Sequence, residues 1–600
     1  MDLLPILAQA AGASTATTGQ GWQSLDTWIL GLFFLALVGI IVWVLKQKEE
    51  TSKDYFLAGK DAGWVSIGSS IFASNIGSEH LVGLAGAGFV SGMAMAHWEM
   101  HGWMILLLGW VFVPFYDRIK VFTMPEFLER RFNPSSRSIL SLISLVSYVL
   151  TKVAVTVYSG GVVFGTVFGI DRVPESVPLL GGLDMFWVSA IGLVVITGLY
   201  TVLGGMKAVM YTSVLQTPVL LIGSIIILWK GLSLVGGWAE VERICGANCN
   251  LVRPTTDPEF PWTGVLFASP IIGFWYWCTD QYIVQRVLSG RDQKQARRGA
   301  ILAGYFKLLP VFIFLVPGMI AFALHTKGLL AMPLNAVGQP DSDKAFSALV
   351  AQILPPGLTG LVVCGLLAAL MSSLASLFNS SAALFIGDFY KKYKPDASER
   401  HLVVAGKVAT AVVVILGIVW IPVMKGMGNV LYRYLQAVQN LLAPAIASAF
   451  LLGVFWRRTS GAGALTGLVS GFVIGMFRLV LDVVIGSKVK AITDAMNMTA
   501  ADKTARLAEL AQQYGILYRI EAVNWLHYGV FLFLLSVAVM VVVSLMTSPP
   551  TKEQLRFTYS AATREEKATT RASWNGWDVL HTAIVAGVII AFYVYFWKRY

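Results

Sequence analysis

Ser69-Ser70-Ile71-Phe72-Ala73-Ser74-Asn75-Ile76-Gly77-Ser78-Glu79-His80 interrupts a segment of membrane length, Trp64 to Gly92, that is otherwise apolar. Asn75, Glu79 and His80 fall near the middle of any span drawn through it. An acidic residue at mid-bilayer costs roughly 2.5–3.5 kcal/mol on insertion scales, so it needs a partner or an aqueous cavity. The small residues and the glycine predict a helix that breaks here and frees backbone carbonyls. Such a break is tolerated only where protein or a cavity surrounds it, and it marks a binding position. A second polar interruption, Ala368-Ala369-Leu370-Met371-Ser372-Ser373-Leu374-Ala375-Ser376, follows about 300 residues later. The two stretches are expected to face each other across a cation site.

The rest of the chain supports a membrane setting. It has 600 residues, of which 56% are hydrophobic and 13% charged, and its mean hydropathy is +0.68. That composition excludes a soluble globular protein. Apolar runs long enough to cross ~30 Å of hydrocarbon recur throughout. About fourteen spans are predicted, near 27–45, 64–92, 93–116, 138–168, 184–202, 208–229, 264–285, 300–325, 357–387, 401–423, 427–455, 460–484, 523–546 and 577–597. The fold class is therefore an all-α polytopic membrane protein.

The net charge of +11 resides largely in short loops between spans, which fits a positive-inside bias rather than nucleic-acid binding. Loops 46–61, 117–137, 286–299, 387–400, 456–459 and 547–576, with Lys207, hold roughly 26 of the 45 Lys and Arg residues. Placing them in the cytoplasm of a multi-pass protein of the cell membrane puts both termini outside. The outer loop 485–522 has helical spacing and predicts an amphipathic helix. Cys245 and Cys249 share a polar loop and are either bridged or free thiols. Cys278 and Cys364 read as small core residues.

Two blocks of five spans can be drawn, 64–229 and 264–455, preceded by a tail and one peripheral span (1–63) and followed by peripheral spans (460–600). An odd number of crossings inverts the second block relative to the first. Each block begins with an interrupted helix, Ala73–His80 in one and Gly273–Gln281 in the other. No nucleophile–base pair stands out, and His80 has no second His or Cys at ligand spacing, so neither an enzyme nor a transition-metal site is expected.

Several local sequences together resemble the sodium:solute symporter family, in its sodium/glucose cotransporter branch. They are Asp54-Tyr55-Phe56-Leu57-Ala58-Gly59-Lys60, Phe72-Ala73-Ser74-Asn75-Ile76-Gly77-Ser78 and Thr123-Met124-Pro125-Glu126-Phe127. Trp275-Tyr276-Trp277-Cys278-Thr279-Asp280-Gln281 follows, with Ile283-Val284-Gln285-Arg286. Met371-Ser372-Ser373-Leu374-Ala375-Ser376-Leu377-Phe378-Asn379-Ser380 and Phe450-Leu451-Leu452-Gly453-Val454-Phe455-Trp456-Arg457-Arg458 complete the set. The resemblance implies a LeuT-type 5+5 inverted-repeat core with extra peripheral helices. It also implies sodium-coupled import of a hexose, of glucose or galactose type, by alternating access. Related alternatives are sodium-coupled transport of myo-inositol or another neutral solute, and a sugar sensor or channel that does not concentrate.

By the same resemblance, a sodium ion is held by the carbonyls of Ala73, Ile76 and Ala369 and the hydroxyls of Ser372 and Ser373. Sodium is a hard cation that takes about five or six oxygens, and neutral ones suffice. The alternative is that both serines merely back-bond within their helix. The family's solute positions fall on Asn75, His80, Glu99, Tyr276, Trp277, Lys307 and Gln436, with Tyr276 and Tyr432 as inner and outer gates. Independently, Glu99 and Lys307 are opposite charges inside spans, for which a shared aqueous cavity is the natural home. A purely structural ion pair is the competing reading, as plain packing is for Tyr432. Ser213 and Ala375 stand where relatives carry further hard-oxygen ligands, which predicts one sodium per solute. Lys152 and Asp280 also match family positions, which implies helix-to-helix contacts or gating pairs.

Overall fold

The computed structural model describes residues 23–46, 51–77, 79–153, 155–161, 180–334, 338–426, 431–493 and 498–597, with isolated positions between them. The side chains of Glu79, Tyr432 and Gln436 lie outside the described residues. Among the described residues every regular element is helical, and extended pairing is limited to isolated bridges. Ten of the described helices are long and apolar enough to cross a membrane.

The difference from about fourteen expected crossings has a physical cause in each case. Helix α1 (Ser24–Leu45) is continuous, but the next crossing is split into α2 (Trp64–Asn75), a wide turn Glu79–Leu84 and α3 (Ala85–Ser91). Helix α4 (Met185–Val235) runs for 51 residues. At 1.5 Å per residue that is roughly 75 Å, more than twice the hydrocarbon thickness. It is bent at Gly205, where φ is 49° and ψ is −145°. A Cβ at Gly205 would stand 2.5 Å from the Tyr55 carbonyl oxygen, so glycine alone fits the bend. Two apolar helical segments joined at Gly205 thus cover the two spans expected at 184–202 and 208–229. The span expected at 138–168 runs as helix over Pro134–Ser147 and a wide turn Tyr148–Val153, and 162–171 lie outside the described residues.

A second interrupted helix is formed by α5 (Trp262–Phe274), a wide turn Trp275–Thr279 and α6 (Gln281–Leu288). Behind it lie α7 (Gln293–Lys307), α8 (Leu358–Phe385) and α9 (Leu431–Phe455). Burial separates centre from rim. Over an apolar 18-residue stretch of the span containing α8, 89% of residues are buried, against 17% over the corresponding stretch of α1. So α8 is the axis and α1 a peripheral helix whose outward side chains suit lipid. Asp26 of α1 nevertheless grips the axis, its Oδ1 accepting from the Gly357 and Gly360 N–H groups at 2.7 Å each. That carboxylate satisfies donors at the α8 N-terminus, which would otherwise lack intrahelical partners.

A helix is present in the loop 485–522, as Ala500–Tyr514, capped by Thr499 and Asp502 in a reciprocal box. Cys245 and Cys249 are both buried. Lys152 and Asp280 pair at 3.0 Å, as expected.

Candidate ion and solute site

The site grows out of the break in α2. The Ile76 N–H still bonds to the Phe72 carbonyl at 3.0 Å, but Ile76 itself turns extended (φ −76°, ψ 104°). The next N–H, of Gly77, lies 3.4 Å from His80 Nδ1 instead of continuing the helix. Carbonyls at the end of α2 thereby become available to groups outside it.

Those groups come from α8. The Ser373 hydroxyl lies 2.9 Å from the Ile76 carbonyl oxygen and 3.1 Å from that of Ser74. Ser74 Oγ lies 2.6 Å from Ser376 Oγ. Ser372 Oγ lies 3.3 Å from Ser213 Oγ, which itself donates to the Val209 carbonyl at 2.6 Å. Ala73 and Ala369 are both buried, the first three residues before Ile76 and the second one turn before Ser373. The two polar interruptions therefore face each other as the sequence predicts, with Ile76 and Ser373 in direct contact. Among the described residues no group of three or more His, Cys, Asp or Glu could hold a metal. The local oxygens are carbonyls and hydroxyls without a carboxylate, a donor set that suits a hard monovalent cation rather than a divalent one.

On the other side of the same break the side chains form a chain of polar contacts. Asn75 Nδ2 lies 3.2 Å from His80 Nε2, which lies 3.4 Å from Glu99 Oε2. Lys307 Nζ, at the end of α7, donates to that same oxygen at 2.6 Å. Glu99 and Lys307 are both buried, so each is the other's counter-charge, and Lys307 also lies 5.4 Å from the Trp277 ring centre. The contacts cross three elements, because Glu99 ends a short helix Ala96–Glu99 ahead of a bend.

These groups line a cavity together with Tyr276, Trp98, His101, Ile272, Gly273 and Gln439. One wall offers an amide, an imidazole, a carboxylate and an ammonium, while Trp277, Tyr276 and Trp98 add aromatic surface. Convergent polar groups against aromatic faces fit a small ring carrying hydroxyls on its rim and C–H groups on its faces. Six of the eight residues expected to contact solute line this cavity; Tyr432 and Gln436 have side chains outside the described residues.

Trp98, His101 and Gln439 are cavity residues that the sequence reading misses, although signals for two of them exist. Gln439 follows Gln436 by three residues and so shares its helix face. His97, Glu99 and His101 alternate as polar residues inside an apolar run, which is costly without a cavity. Tyr276 lies at the edge of the cavity, its ring centre 4.7 Å from Lys152 Nζ.

Comparison with known proteins agrees with this geometry. The sodium:solute symporter family model matches residues 55–471. The chain is 35% identical to sodium/myo-inositol cotransporter 2 of Oryctolagus cuniculus, over 88% of this chain and 78% of that one. It is 34% identical to sodium/glucose cotransporter 1 of the same organism, over 87% and 79%. Its fold is similar to that of a Na+-coupled sialic acid symporter in a substrate-bound outward-open state, with a TM-score of 0.68 at 20% identity, covering 88% of this chain and 99% of that one. A match over most of the chain, with relatives at this identity, leaves one conclusion: the chain belongs to the sodium:solute symporter family.

Proposed function

We propose that this symporter imports a neutral polyhydroxylated ring, a hexose or an inositol-type cyclitol, with one sodium ion per molecule. One observation carries the reading: Asn75 and Ile76 are consecutive residues at one helix break. The first turns its side chain toward the cavity, and the second offers its carbonyl to Ser373. Whatever straightens or fixes that break acts on both positions at once.

Sodium entering from outside would be held by Ala73, Ile76, Ala369, Ser372 and Ser373, joining α2 to α8 and fixing Asn75 and His80 toward the cavity. The polyol then bonds to Asn75, His80, Glu99, Lys307 and Gln436 while Trp277 and Tyr276 cover its C–H face. Closure of the outer side by Tyr432 and release of the inner side at Tyr276 give alternating access. Each charge moving down an interior-negative potential gains about 2.3 kcal/mol per 100 mV. Tenfold accumulation needs about 1.4 kcal/mol, so one sodium suffices. Ser213, whose hydroxyl is engaged by Val209, and Ala375, which has none, leave a second ion poorly supplied. An inverted pair of five-span blocks, 64–229 and 264–455, in a cell membrane with both termini outside, is the arrangement we assign.

Radiolabelled glucose, galactose and myo-inositol uptake into proteoliposomes tests this, with an inward sodium gradient against a potassium control. Accumulation above equilibrium only with sodium, at a measured ratio of one, is the result expected. Sodium-independent equilibration would indicate a channel or sensor, and a ratio of two would overturn the stoichiometry.

A further inference from the structure

Position 273 has no side chain, yet the cavity is walled there. A Cβ on Gly273 would stand 3.0 Å from His101 Cε1 and 3.1 Å from each of the two ring nitrogens. The imidazole edge therefore occupies the space that a side chain at 273 would take. His101 reaches it from the bend between Ala96–Glu99 and Gly102–Leu107, and is only 3% exposed. Ser269, one turn before Gly273 on α5, fixes the ring: its Oγ lies 2.7 Å from His101 Nε2. Ring position is thus set by α5, through the Ser269 hydroxyl and through the missing side chain one turn later.

With Nε2 committed to Ser269, Nδ1 has no hydrogen-bond partner among the described residues. A neutral imidazole presents one donor and one acceptor, so a nitrogen remains for a molecule in the cavity that His101 lines. A site built to bond a hydroxyl discriminates strongly against a ring that lacks it at that place, because its own polar group is then left unpaired. Stereoisomeric polyols differ in where their hydroxyls point.

We propose that His101 contacts the solute and sets its specificity, its Nδ1 bonding one ring hydroxyl in the place that a side chain at position 273 would serve. The inference rests on the polyol reading above. His101 and Gly273 form one unit: any side chain at 273 would press on the imidazole and force it to shift.

Three variants test it, His101→Ala, Gly273→Asn and the two combined, each assayed for competition among glucose, galactose and myo-inositol. Sodium-dependent protection against thermal unfolding serves as a measure of folding and ion binding. His101→Ala should keep that protection, lower the affinity for the preferred polyol about tenfold and level the preference among the three. Gly273→Asn should lose uptake at least tenfold through collision with the ring. The combined variant should recover uptake with a changed order of preference. An unchanged order in His101→Ala, or a combined variant no better than Gly273→Asn alone, would overturn the assignment. If the wild type moves none of the three, the polyol reading fails and this inference with it; if it moves them without these changes, only the inference fails.

Discussion

Two buried helices in this molecule are broken, and the breaks are finished in opposite ways. At Ile76–Gly77 the freed backbone meets neutral oxygens and the hydroxyls of α8. At the second, Asp280 takes over: its side chain accepts from the Tyr282 N–H at 3.2 Å and from the Tyr148 hydroxyl, and pairs with Lys152 at 3.0 Å. The Lys152 ammonium is in turn surrounded by the rings of Tyr148, Trp275, Tyr276 and Tyr282, at 4.6–5.5 Å. The second break supplies its own charge and is met by a counter-charge from the turn Tyr148–Val153. The first supplies carbonyls without either, which is what a cation exchanged on every cycle needs. The Tyr282 hydroxyl donates to the Ser74 carbonyl and so ties the sealed break to the open one.

The largest effect should come from unsealing the second break. Asp280→Asn leaves the buried Lys152 charge uncompensated, which costs roughly 3–5 kcal/mol. Thermal unfolding in detergent should fall sharply, and sodium affinity in the fraction that folds should stay within about twofold. An affinity loss without a stability loss would reverse the roles assigned to the two breaks.

Ser373→Ala should do the converse. Its stability without sodium should fall by no more than a lost hydrogen bond, about 1 kcal/mol, while sodium affinity drops at least tenfold, about 1.4 kcal/mol. Flux measured against sodium concentration reads this directly.

Tyr282→Phe removes one hydrogen bond, worth about 1 kcal/mol. Both sites remain, but the factor by which sodium raises solute affinity should shrink severalfold. An unchanged factor would mean that the two breaks act separately.

The smallest effect concerns α3, the C-terminal half of the first broken helix. The loop residues Ser342 and Asp343 pack on Gly86 of α3. Burial and the neighbouring Asp341 push the Asp343 carboxyl up from 3.8 to about 7. A carboxyl raised in the folded state contributes its stability fully below the lower value and loses it as pH rises through the upper one. Hydrogen-exchange protection of residues 85–91, corrected for the intrinsic rate, should therefore fall between about pH 4 and pH 7. Asp343→Asn should remove the change.

Much of this contrast is legible in the amino-acid sequence. Asn75, Gly77, Ser372 and Ser373 announce themselves because polar and flexible residues in apolar spans are expensive, and Asp280 with Lys152 for the same reason. Gly205 is legible only in part: Gly204-Gly205 and Lys207 mark the gap between the spans expected at 184–202 and 208–229, but only the approach of the Tyr55 carbonyl shows that the chain turns there by a bend. His101 is half legible: its polarity is anomalous, but its relation to Gly273 depends on two helices far apart in sequence. Whether Cys245 and Cys249 bridge also depends on backbone geometry that spacing leaves open.

If one helix break serves ion and solute together, neither can bind without changing the other. Calorimetric titration of the preferred polyol into detergent-solubilised protein, in sodium and in potassium, tests this most directly. Linkage requires that sodium and solute change each other's affinity by the same factor. The expected result is at least tenfold tighter solute binding in sodium, a reciprocal tenfold gain for sodium with solute present, and loss of both in Ser373→Ala. Equal solute affinity in the two salts would contradict the shared break.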